Sequence, residues 1–357
     1  MMLTTRRKLL GGIVAGSAGT LAMPAVAQSR TEWRMVTAWP KNLPGPGITA
    51  QRLADRITAM SGGRLTVKLF AAGELVPALE TFDAVANGTA QMAHTASLFW
   101  AGKFPAAPIF TAAPFGLTPL EHVTWIDHGG GQALWDELYG QAGVKPFMGG
   151  NTGFQMGGWF KREIASVDDL KGLKIRMPGF GGNALEKLGA VPVTTAPGEI
   201  FLSLQSGVLD ATEFLGPFSD MAMGFHKAAK HYYFPGWHEP NGTGEALVSV
   251  EAWEALDDGL REVVRSACAA SNIEGLGESE WSNAEALKTL TAEHGVTVRE
   301  FPAEVMAAIR TAAGEVMNDL AGQGGITGRI VESYRNAARH QAQWSDISVR
   351  AFLKARG

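Results

Sequence analysis

The sequence predicts an α/β protein of two lobes, each built on an open, mostly parallel sheet, and three observations carry that prediction. Strand-like and helix-like apolar patterns alternate through the first two thirds of the chain. A segment near residue 90 reappears near residue 210, and 357 residues exceed what a single core usually holds. The composition agrees: 46% hydrophobic, 18% charged and 9% aromatic residues, with a formal charge of −4, exclude a disordered, collagen-like or disulfide-stapled chain. The single cysteine, Cys268, cannot form an internal disulfide and reads as a small buried hydrophobe on a helix. No run of lysine or arginine offers a footprint for nucleic acid or an anionic membrane.

Residues 1–27 stand apart from the fold. Arg6, Arg7 and Lys8 head an uncharged stretch over 9–23 that ends in Ala25, Val26 and Ala27, the small-x-small form of a cleavage site. The apolar run is too short and too glycine-rich for a spanning helix, which needs roughly 20 residues. These features predict a twin-arginine signal that is cleaved, leaving a soluble periplasmic protein.

The first lobe is expected over 28–150. A strand at 33–39, an amphipathic helix through Ile48, Leu53 and Ile57 and a strand at 64–70 make a βαβ opening. A helix at 78–87, closed by Gly88, leads to a strand at 91–95 and then to a proline-punctuated region. The second lobe, 151–245, repeats the texture: strands at 156–160, 173–177 and 191–193, with helices at 183–188 and 198–206. Residues 86–93 align with 205–212, each a helix end, a glycine and an entering strand. Residues 246–325 read as a helical segment returning across both lobes, with helices at 249–271, 273–294 and 302–320 and a possible edge strand at 296–301. Residues 326–357 form one long helix with Ile330, Tyr334 and Trp344 on one side. At the chain end such a helix must brace the lobes or pack on another subunit.

Enzyme signatures are missing from the sequence: no Gly-x-Ser-x-Gly elbow, His-Glu-x-x-His, Walker loop or dinucleotide fingerprint occurs. His128, His226, His231 and His340 lack ligand spacing and read as helix-surface or capping residues. The informative segment is 151–241. Arg176 closes a short apolar strand that Pro178 and Gly179 terminate, which places a guanidinium where α/β crevices open. Its rigid fork suits a carboxylate, although an arginine there also fits an ordinary salt bridge. Glu213 ends another strand, and Glu239 lies in a turn-like run with Pro235, Gly236 and Pro240. Two carboxylates converging on one crevice repel each other, and a cation between them relieves this. Hard oxygen donors suit Na⁺ or Ca²⁺.

The stretches 151–160, 173–179, 212–217 and 232–240 resemble those of substrate-binding proteins of the tripartite ATP-independent periplasmic (TRAP) transporters. The resemblance is to the branch of receptors for 2-oxoacids and 2-hydroxyacids. It implies a hinged, type II-like periplasmic-binding-protein fold, with no catalysis. Arg176 would clamp the ligand carboxylate, and Gln155 would reach both ligand and metal. Glu213, the main-chain oxygen of Phe214, and Glu239 would hold the Na⁺ or Ca²⁺. Asn151 is a further candidate for a ligand hydrogen bond, and Phe99 and Trp100 for the opposite wall, with core packing as their other reading. Similar relatives carry tryptophan at the place of Phe214, which leaves the preferred acyl chain open. The resemblance also implies TRAP membrane permease subunits as partners and a homodimer through the last helix. A TRAP receptor for another organic acid, and a metal-dependent periplasmic enzyme acting on a carboxylate, are the alternatives.

Overall fold

The computed structural model describes residues 30–357, so the predicted export signal lies outside the described residues. Eleven strands are described: β1 (Thr31–Thr37), β2 (Leu65–Phe70), β3 (Met92–Thr95), β4 (Val144–Asn151), β5 (Gly158–Phe160), β6 (Lys174–Arg176), β7 (Val191–Val193), β8 (Ala211–Thr212), β9 (His231–Phe234), β10 (Thr243–Ser249) and β11 (Thr297–Glu300). They form two sheets, ordered β2-β1-β3-β10-β4 and β11-β9-β5-β8-β6-β7.

Read from opposite edges, the sheets match strand for strand. β1 lies between parallel neighbours β2 and β3, as β6 lies between parallel β7 and β8. Next to β3 runs the reversed strand β10, and next to β8 the reversed strand β5. β4 and β9 complete the correspondence, each antiparallel to that reversed strand. The segment match between 86–93 and 205–212 therefore pairs β3 with β8. Each sheet is mixed rather than wholly parallel, because one strand of each is supplied by chain that has just crossed from the other.

Those two crossings position everything that follows. Residues 152–157 carry the chain from β4 to β5, and 235–242 return it from β9 to β10. They run side by side: the Thr152 amide donates to the Gly242 carbonyl (3.0 Å) and the Gly157 amide to that of Tyr233 (2.7 Å). A Cβ on Gly242 would sit 1.9 Å from Thr152 Oγ1, so only glycine permits this approach.

The helical third differs from expectation in three respects: residues 246–249 belong to β10, Val250–Glu254 forms a separate short helix, and no break falls at 272. Residues Asp258–Glu293 form a single helix without a break at 272, capped by the Asp257 side chain accepting from Leu260 N (2.8 Å). Ser271, Asn272, Gly275 and Ser279 look like helix breakers but are buried, because here the helix runs against the start of the first crossing. A Cβ on Gly275 would lie 3.1 Å from the Asn151 carbonyl oxygen. The helix holds the first lobe through Arg52 and Glu278 (3.1 Å) and the second through Asn283, which accepts from Phe218 N (3.0 Å).

β11 joins the edge of the second sheet beside β9, as the edge-strand expectation had it. Helix Ala303–Gly322 then packs on helix Gly179–Lys187 of the second lobe. Helix Gly325–Ser345 returns to the first lobe, where Tyr334 packs edge-on to Trp125 (5.1 Å) and its hydroxyl accepts from Leu117 N (2.8 Å). It continues through a π-helical turn, Asp346–Arg350, into Ala351–Arg356. No helix among the described residues is long and apolar enough to cross a membrane.

Candidate ligand-binding and metal centre

A cavity of about 40 Å³ opens where the two crossings meet the ends of β6 and β8. A single water needs roughly 10–15 Å³ on this measure, so the space suits a few small groups rather than a sugar or nucleotide. Its first-lobe wall is apolar, from Trp39, Pro46, Leu98 and Phe99, and Phe214 and Leu215 extend that wall from the second lobe. Trp39 Nε1 donates to His94 Nδ1 (2.8 Å), which leaves the His94 Nε2–H to donate to the Gly149 carbonyl (3.3 Å). Burial lowers His94 to about 4, so this wall carries no charge at neutral pH.

The polar end is built by four segments. Arg176, the last residue of β6, is buried; its Nη1 donates to Glu213 Oε1 (2.5 Å) and to the Glu213 carbonyl (3.0 Å). Its guanidinium lies 5.6 Å from the centre of the Phe214 ring, within cation–π reach. Glu213, directly after β8, meets His238 Nε2 with its other carboxylate oxygen (2.9 Å). From the crossings, Gln155 Nε2 donates to Glu239 Oε2 (3.0 Å). In this cluster three buried side-chain polar atoms have no hydrogen-bond partner among the described residues: Gln155 Oε1, an acceptor, Arg176 Nε, a donor, and His238 Nδ1. Buried polar groups are normally satisfied, so an orphaned acceptor and an orphaned donor in one cluster mark a place for an outside partner.

The electrostatics point the same way. One guanidinium faces two carboxylates, and Glu239 is pushed up to about 7, first by burial and then by the charge of Glu213. Burial alone would lower His238, but its hydrogen bond to Glu213 and the charge of that residue outweigh this and raise it. Glu213, His238 and Glu239 can each offer an atom within 4.8 Å of the others. Together with the free Gln155 oxygen, the carboxylates make a hard oxygen donor set that fits Na⁺ or Ca²⁺.

Of the residues singled out in the sequence, Gln155, Arg176, Phe214, Glu239, Asn151 and Phe99 line the cavity. Glu213 stands behind them, reached through Arg176. Trp100 does not line the cavity and is corrected to core: its ring packs on Phe82 (5.4 Å) and its indole nitrogen donates to buried Glu245. The Asn151 amide is already engaged, donating to Asn241 Oδ1 (2.9 Å) while its own oxygen accepts from Gly153 N (2.8 Å), so it braces the crossing. Asn241 in turn donates to the Thr111 carbonyl (2.7 Å), tying the second crossing to the first lobe. Asn241 and His238 were not anticipated. The one signal for His238 was its place beside Glu239.

Comparison with known proteins bears on this geometry. Residues 36–323 match the profile of bacterial extracellular solute-binding protein, family 7. A monocarboxylate 2-oxoacid-binding periplasmic protein of Nostoc sp. is 37% identical over 353 residues, covering 96% of each chain. A TRAP periplasmic solute-binding protein of Pseudoalteromonas atlantica, solved with sodium and pyruvate, is 38% identical with a TM-score of 0.89, over 91% of this chain and 99% of its own. A TRAP solute-binding protein of Bordetella bronchiseptica, a mixed-occupancy dimer with copurified calcium and picolinate, is 35% identical with a TM-score of 0.90, over 92% of this chain and 97% of its own.

Proposed function

We propose that this chain, which belongs to bacterial extracellular solute-binding protein family 7, is the receptor of a TRAP transporter for a small 2-oxo or 2-hydroxy monocarboxylate, bound together with Na⁺ or Ca²⁺. The observation that carries this reading is the cluster of Arg176 Nε and Gln155 Oε1, both buried without partners, beside Glu239 in a cavity of ligand size. The Nε edge of Arg176 takes the ligand carboxylate, and Gln155 with Glu239, Glu213 and the main-chain oxygen of Phe214 holds the cation. That cation supplies positive charge next to the carboxylate and the 2-oxygen.

Magnitudes favour such a pairing. A pyruvate-sized ligand has about six heavy atoms and, at a ceiling of about −1.5 kcal/mol each, reaches roughly −9 kcal/mol. Apolar contact alone does not approach that limit for so small an anion, whereas two fixed positive charges in a nearly dry cleft can. The apolar wall also limits the ligand class. Arg176 is the only lysine or arginine lining the cavity among the described residues. A second carboxylate would therefore be buried without a counter-charge, at a cost of several kcal/mol, which disfavours dicarboxylic acids.

The two crossings act as the hinge, since they are the connecting segments through which the lobes are joined beside the cavity. A ligand touching both walls favours the closed arrangement, which the permease subunits then recognise. Residues 1–27 direct export through the twin-arginine pathway, and the exposed Trp344, Ile347 and Phe352 on the last helix support pairing with a second copy. No bond is made or broken. Thermal melting with a panel of 2-oxoacids, 2-hydroxyacids and dicarboxylates, with recovery of the acid afterwards, tests the reading. Stabilisation by 2-oxo or 2-hydroxy monocarboxylates recovered unchanged is expected. Consumption of the acid, or a preference for dicarboxylates, would overturn it.

A further inference from the structure

We infer that His238 is a positioning residue that holds Glu213, and through it the Arg176 fork, in the orientation that receives a carboxylate. The inference rests on the site reading above. His238 and Glu239 are neighbours on the second crossing and both converge on Glu213, but only Glu239 lines the cavity described above. The His238 ring reaches Glu213, Nε2 to Oε2 at 2.9 Å, with both side chains only 1% exposed. A carboxylate can only accept, so the imidazole nitrogen is the donor whatever its charge.

The consequence for Arg176 follows from how the Glu213 oxygens are divided. His238 takes Oε2, so Oε1 is left pointing at Arg176 Nη1, which it meets at 2.5 Å. The Glu213 main chain holds the same Nη1 from a second direction (3.0 Å). Both anchors act on one nitrogen, and the Nε edge stays free. A glutamate has three side-chain torsions; without the His238 bond, Oε2 would be buried and unsatisfied, and the carboxylate would rotate in search of a donor. The guanidinium would then lose the partner that fixes its plane.

The chain also makes room for this support. A Cβ on Gly181 would lie 2.8 Å from the His238 Cβ. Gly181 stands in the first turn of helix Gly179–Lys187, five residues after Arg176. The segment that supplies the clamp thus also leaves space for the residue that steadies it.

The test compares His238→Ala, His238→Gln and His238→Asn by calorimetry with pyruvate in excess calcium chloride. Glutamine can place its amide nitrogen near the position of the imidazole Nε2, while asparagine falls short. Loss of a hydrogen bond to a charged group predicts roughly 10–100-fold weaker binding for the alanine and asparagine variants. The glutamine variant should stay within a few-fold of the native protein. A second readout needs no ligand: the Arg176 Nε–H signal in ¹H–¹⁵N spectra, assigned by its loss in Arg176→Lys, should be kept by His238→Gln and shifted or broadened by His238→Asn. Native affinity in the asparagine variant, or equal weakness of glutamine and asparagine variants that both melt like the native protein, would overturn the inference. If the native protein binds no pyruvate, the site reading fails, and an Arg176 signal unchanged in His238→Asn would separately overturn the role of His238.

Discussion

Glu245 and Glu239 are both buried carboxylates, six residues apart around the start of β10, and their surroundings differ in kind. Glu245 points into the first lobe, where Trp100 Nε1 and Tyr139 Oη (3.1 Å) each donate to one of its oxygens. Burial raises it to about 8. Glu239 faces a cavity, takes one bond from Gln155, and sits among Glu213, Arg176 and an acceptor with no partner. A buried carboxyl whose donors come entirely from the fold specifies the fold. A buried carboxyl beside unfilled donors and acceptors is organised for a molecule that arrives later.

The largest expected effect breaks the second cluster. Arg176→Ala should weaken pyruvate binding by more than about 100-fold, and it should also lower the melting temperature, because Glu213 is left buried without its charge partner. Arg176→Lys keeps the charge but loses the fork, so it should bind roughly 10–100-fold more weakly while melting close to the native protein. Calorimetry and thermal melting on the two variants separate the roles. Equal losses of stability would mean that the fork matters to folding rather than to the ligand.

A smaller effect probes the first cluster. The folded-state value of Glu245, about 8, lies above the ordinary 4.5, so the native chain retains a proton that the unfolded chain releases. That contribution to stability is complete below about 4.5 and is lost as the pH rises through 8. Asp220, raised to about 7 by burial against the hydrogen bonds it accepts, adds in the same sense at slightly lower pH. Glu245→Gln should therefore flatten the fall in melting temperature between pH 5 and 9, measured by scanning fluorimetry, while leaving pyruvate affinity unchanged. An altered affinity would erase the distinction between the clusters.

The same contrast explains what could be read in the sequence. Arg176, Glu213 and Glu239 stood out because each sits at a strand end or in a turn whose neighbours are distinctive, whereas Gln155 stood out only through the resemblance of 151–160 to TRAP receptors. The two-lobe α/β class followed from local periodicity, and the 86–93 match foretold that β3 and β8 occupy equivalent places. β10 in the first sheet was not legible, since its pairing with β3 and β4 joins residues far apart in the chain and leaves no local signature. The break expected at 272 is absent because the small residues around it let the helix run on against Asn151. Phe99 and Trp100 looked equivalent, yet in a 3₁₀ turn adjacent side chains diverge, one to the cavity and one to Glu245. His238 escaped notice because its partner Glu213 lies 25 residues away.

The most direct test is calorimetric titration of pyruvate into protein stripped with a chelator, repeated after adding calcium or sodium. Tight binding restored by the cation, at one ligand per chain, is the predicted result. Equal affinity with and without the cation would contradict the claim that a metal and Arg176 grip the anion together.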